Sequence, residues 1–151
     1  MSIQERISAD LIAAQKAKNA EQVNVLRFVL AQIHNRAIAL RGEGKSGELN
    51  DAQVLEVLAS EVKKRKEAIN LFKQGQRADL VAKEEKDLVW LKPYLPAEMS
   101  SAEIEAVINR LMTVQPADVN SLMREAMKEL KGRAYGQAVR AIIEAKLRRL
   151  Q

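Results

Sequence analysis

Cysteine is absent from the 151-residue sequence, and with it go disulfides, zinc–thiolate centres and thiol nucleophiles. The single histidine, His34, is too little for a histidine-based metal site, and nothing near it in sequence supplies a catalytic partner. Prolines number three and glycines six, and aromatic residues make up 3% of the chain, so turn-formers and aromatic rings are both scarce. Long apolar runs are missing as well; stretches such as Phe28 to Ala31 fall far short of a membrane span, which speaks against a membrane partner. The N-terminal segment carries an acid at Glu5 and lacks the basic-then-apolar order of a leader. The expectation is therefore an unsecreted, soluble, cytoplasmic protein.

What is abundant is Ala, Leu, Glu, Lys, Arg and Gln, all good helix formers, with 47% hydrophobic residues to build a core. The expected fold class is all-α. Ile3, Ile7, Leu11 and Ala14 recur at helical spacing, as do Val23, Leu26, Leu30, Ile33, Ala37 and Leu40, which predicts two helices broken near Asn19 and folded as a hairpin. "RGEGKSGEL" reads as a flexible polar loop. Asn50 with Gln53 forms a capping box that opens a long helix through Gln74, with an apolar seam of Leu55, Leu58, Val62, Ile69 and Phe72 and a stop at Gly75. A fourth helix runs from about Arg77 to Lys92, where "KPYLP" ends it.

That proline pair sets the expected boundary between an N-terminal helical domain, 1–95, and a C-terminal three-helix domain, 96–151. In the second, Ser100 and Glu103 make another capping box for a helix over about 101–113, with Ile104, Val107, Ile108 and Leu111 facing inward. Pro116 is expected to open the next helix and Gly132 to end it. The last helix begins near Tyr135.

Charge is uneven. The formal surplus of +5 resides entirely in residues 131–151, where six basic residues face the single acid Glu144. At 100° per residue Arg133, Gln137, Arg140, Glu144 and Arg148 fall within roughly 80° of one another, opposite Val139, Ile142, Ile143, Leu147 and Leu150. One side is core and the other a basic ridge. Lys131 and Arg133 beside a helix N-terminus, with no Cβ at Gly136, suit an anion such as phosphate. The alternative is that Gly132 only caps a helix, Gly136 marks a close helix crossing, and the arginines solubilise the surface. Residue chemistry alone leaves both open.

Other candidates have plainer readings. "GEGKS" superficially matches the end of a nucleotide-binding loop, but Ala39 stands where a glycine is required and a helical period precedes it. Lys63, Lys64, Arg65 and Lys66 spray around a helix axis; Arg65 lies within the apolar seam, and its expected partner is an acid of the next helix, Glu84, Glu85 or Asp87, the alternative being a ligand-facing role. Trp90 and Tyr94 are expected in the core rather than stacked on bases.

Taken together, "EVKKRKEAINLFKQGQRADLVAKEEKD", "LKPYLPAEMS" and "LKGRAYGQAVRAII" resemble the GatB/YqeY family over nearly the full chain. The resemblance implies two helical domains, the second similar to the tail of the B subunit of the tRNA-dependent amidotransferase, where it is similar to a handle that grips tRNA. It implies a nucleic-acid-binding set of Lys131, Gly132, Arg133, Gly136, Arg140 and Arg148. Two positions depart from the family pattern: Tyr135 stands where an acid is typical and Gln137 where a lysine is typical.

The expected function is a non-catalytic tRNA-binding or tRNA-associated accessory protein, with no cofactor and no metal. A second class is an adaptor docking on a translation enzyme or an amidotransferase. A third is glutamine-dependent tRNA amidotransferase activity itself, for which the chain offers no cysteine, nucleotide loop, metal-binding acid cluster or amidase-type serine–lysine pattern.

Overall fold

A computed structural model describes residues 1–45, 47–114, 118–130 and 133–150. Among the described residues there are seven α-helices, one 3-10 turn and no strand. The fold class is all-α. The chain divides into two compact units, Met1–Leu95 and Pro96–Gln151.

The first unit holds α1 (Ile3–Lys16), α2 (Ala20–Gly42), α3 (Asp51–Gln74), α4 (Ala78–Leu91) and the 3-10 turn Lys92–Tyr94. Local chemistry explains the helix ends. Ser2 and Glu5 form a capping box at α1, Asn19 accepts from the Gln22 amide at α2, and Asn50 and Gln53 form a second box at α3. Lys18 makes the α1–α2 reversal with a left-handed backbone, φ 57°. The α3–α4 reversal differs from the simple expectation of a glycine stop: Gly75 has an ordinary φ of −81°, and Gln76 takes the left-handed conformation at φ 56°. In the α2–α3 loop Gly44 has φ 78°, which favours glycine, and Lys45 pairs with Glu43 at 3.2 Å. Ser46 lies outside the described residues.

Ile7, Val25, Leu26, Val29, Ile33, Val54, Leu58, Leu91 and Tyr94 form the core of this unit. The inward face of α3 is rotated by about one residue from the expected seam. Val54, Leu58, Glu61 and Ile69 are buried, while Leu55 and Val62 are only partly so. Arg65 belongs to this face: one of its terminal nitrogens donates to Glu84 Oε2 at 3.1 Å and to Asp87 Oδ2 at 3.0 Å, and its guanidinium lies 5.9 Å from the Phe28 ring centre. Tyr94 is buried and its hydroxyl donates to Asp10, while Arg6 lies over its ring at 5.4 Å and donates to the Pro93 carbonyl at 3.3 Å. Burial, then the Asp10 hydrogen bond, push the Tyr94 hydroxyl well above its ordinary pKa. Trp90 is half-buried against the same core, so neither aromatic ring is a free stacking platform. His34 is exposed.

The second unit holds α5 (Ser101–Met112), α6 (Val119–Leu130) and α7 (Gly136–Arg149). Its core is Ile104, Ile108, Leu111, Leu122, Ala126, Leu130, Val139 and Ile143. Helix α6 starts at Val119, and Asp118 organises its first turn. The Asp118 carboxylate accepts from the amides of Asn120 and Ser121 at 3.2 Å each, and its carbonyl takes the Leu122 amide. Those bonds, with the Ser121 hydroxyl first among them, hold the Asp118 carboxyl below its ordinary pKa. Pro116 lies outside the described residues.

Candidate nucleic-acid interface

Three helix ends meet at one edge of the second unit. The Ser100 hydroxyl accepts from the Glu103 amide and Glu103 accepts from the Ser100 amide, which closes the start of α5. The Met99 amide donates to the Arg133 carbonyl at 2.9 Å and ties the chain entering α5 to the turn entering α7. That turn caps α6, since the amides of Arg133 and Ala134 both return to the Leu130 carbonyl. Donors from Ser100 lower the Glu103 pKa, and the Arg133 charge acts in the same direction. Arg133 thus stands in the turn before α7 rather than on the helix.

Helix α7 starts without a conventional cap. Tyr135 is the N-cap residue in extended conformation, and its side chain makes no capping hydrogen bond. The acid typical of the family at this position would have supplied one. Gly136 opens the helix, and a Cβ placed on it would meet nothing within 4 Å. The close-crossing account of Gly136 is therefore wrong. Among the described residues the space beside Gly136 is open, at the end of the helix that carries its partial positive charge.

Along α7 Val139 and Ile143 are buried, Ile142 and Leu147 pack partly against the core, and Leu150 is 69% exposed, outside the apolar side to which its spacing assigned it. Arg133, Arg140 and Arg148 are exposed. Among the described residues no carboxylate pairs with Arg133 or Arg148, and Arg140 meets Glu144 at 3.7 Å with both side chains about half exposed. A surface pair of that kind is worth about 0.3–0.5 kcal/mol and exchanges readily for another anion. Eight residues at 1.5 Å rise place Arg140 and Arg148 about 12 Å apart along the axis. Lys146, which lies off the ridge, behaves differently: its side chain is 14% exposed and reaches Glu105 of α5 at 3.7 Å, so it links two helices. Lys131 and Gly132 lie outside the described residues. Of the sequence-derived set, the structure brings Arg133 and Gly136 together at the start of α7 and sets Arg140 and Arg148 on the exposed side of that helix.

No group of three or more metal-ligating side chains occurs among the described residues, and no described helix is long and apolar enough to cross a membrane. The profile of the family described as Yqey-like protein matches residues 4–147. The chain belongs to the YqeY-like family. That family is related to the tail of the amidotransferase B subunit. The chain is similar to an uncharacterized protein of Schizosaccharomyces pombe, 29% identical over 66% of this chain and 77% of that one. It is also similar to Altered inheritance of mitochondria protein 41, mitochondrial, of Saccharomyces cerevisiae, 29% identical over 66% of this chain and 51% of that one. The Lachancea thermotolerans protein of the same name is 27% identical over 85% of this chain and 68% of that one. The aligned part of this YqeY-like chain spans about half the length of the Saccharomyces cerevisiae relative.

These relatives correct the cytoplasmic expectation, because the named ones are mitochondrial proteins. Absence of cysteine and of long apolar runs suits any water-filled compartment. Those features never distinguished the cytoplasm from the interior of an organelle.

Proposed function

We propose that this YqeY-like protein binds the sugar–phosphate backbone of a structured RNA, of tRNA class, as a non-catalytic accessory. The observation that carries the reading is the set of outward arginines, Arg133, Arg140 and Arg148, none held by a buried carboxylate among the described residues, with nothing described crowding Gly136 at the start of α7. RNA duplexes offer phosphates and 2′-hydroxyls more readily than base edges, so a rigid helix with a few spaced cations can read them by shape. The mitochondrial relatives make organellar tRNA part of the pool to be tested.

Salt titration provides the test. The logarithm of the tRNA association constant should fall steeply with the logarithm of salt concentration, and Arg133→Ala and Arg140→Ala should each flatten the slope by about 1. Slopes unchanged by both substitutions, or affinity no greater than for a random polymer of equal charge, would defeat the reading.

A further inference from the structure

The buried face of α3 carries one acid that folding does not explain. Glu61 is 4% exposed, and the single donor that the described residues place on it is Lys64 Nζ, 3.3 Å from Oε1. The Lys64 side chain is itself 65% exposed, so its ammonium is largely held by water. A carboxylate drawn this far out of water calls for further donors; the described residues give none to Oε2, and that oxygen is not sealed from solvent.

Glu61 is not sealed in the core. It lines a groove of about 420 Å³ together with Gln32, Asn35 and Arg36 of α2 and Glu56 and Lys64 of α3. Two acids and two bases share that groove. A lone cation drawn to Glu56 and Glu61 would meet Arg36 and Lys64, and a lone anion would meet the reverse. A ligand carrying both charges a few bonds apart answers all four groups, and the amides of Gln32 and Asn35 offer donors and acceptors to the atoms between. The volume lies within the roughly 300–1,000 Å³ of clefts that take small ligands.

We propose that the α2–α3 groove binds a zwitterion of amino-acid size, with its cationic nitrogen on Glu61 and its carboxylate toward Arg36 and Lys64. The proposal is independent of the RNA reading, which concerns the other compact unit.

Three probes on the full chain test it: L-arginine, agmatine, which lacks the carboxylate, and succinate, which lacks the cation. L-arginine is expected to shift the amide resonances of Asn35 and Lys64 saturably and to bind at least about tenfold more tightly than either other probe. Glu61→Gln keeps the shape of the side chain and should weaken L-arginine by about tenfold or more. Because Glu61 is buried, the exposed Arg36→Ala serves as the second arm, and it should weaken L-arginine while leaving agmatine no weaker. Absence of saturable shifts, agmatine or succinate matching L-arginine, or an L-arginine affinity indifferent to Arg36→Ala would each overturn the proposal.

Discussion

Replacing Arg65 by alanine is expected to lower the thermal unfolding midpoint of the helices in 1–95 by about 12 °C or more, since removing one partner of a buried ion pair costs about 3 kcal/mol or more, and each kcal/mol moves a domain of this size by about 4–8 °C. The side chains of Arg65, Glu84 and Asp87 are 14%, 18% and 13% exposed, so loss of the guanidinium strands two carboxylates in poorly solvated positions. Both hydrogen bonds leave the same nitrogen, so a point charge can replace much of what the guanidinium does. Arg65→Lys should therefore recover part of the loss. So should Glu84→Gln combined with Asp87→Asn in the Arg65→Ala background, which removes the stranded charge. Circular dichroism melting of the four proteins checks this. A drop under about 4 °C for Arg65→Ala, corresponding to about 1 kcal/mol or less, would mean that water solvates the trio.

Leu122→Ala should have the second large effect. Leu122 is fully buried at the centre of the α5–α7 core, and truncating a buried leucine costs about 2–5 kcal/mol. A small helical core supplies only about 3–5 kcal/mol in total. We propose that the two compact units unfold as separate cooperative domains. Leu122→Ala then leaves α5, α6 and α7 largely open while α3 stays protected. Amide hydrogen exchange resolves the two sets of helices in one experiment. Equal loss of protection in both, or no loss in either, would contradict the proposal.

Much of the fold was legible because its helix ends depend on short-range chemistry. The boxes Ser100 to Glu103 and Asn50 to Gln53 involve side chains that reach amides three residues away, so spacing alone reveals them. The role of Asp118 at the start of α6 was missed because which residue takes the first amides depends on the actual backbone. The α3 seam was misjudged for a different reason. The expected seam was chosen from apolar residues alone, whereas Val54, Leu58, Glu61 and Arg65 step along one face at spacings of four, three and four. That spacing was the available signal for Glu61. The outward side of α7 followed from periodicity, but the capture of Lys146 by Glu105 depends on α5 and could not be read from α7 alone.

The most direct measurement is an amide resonance map of the full chain titrated with tRNA, run beside the triple variant Arg133→Glu/Arg140→Glu/Arg148→Glu. The account predicts perturbations concentrated between Ala134 and Arg149, lost in the variant, with the salt slope of binding reduced by about 3. Perturbations confined to the first unit, around Lys63 or Lys83 for example, or a charge-reversed variant that binds as the parent does, would contradict it.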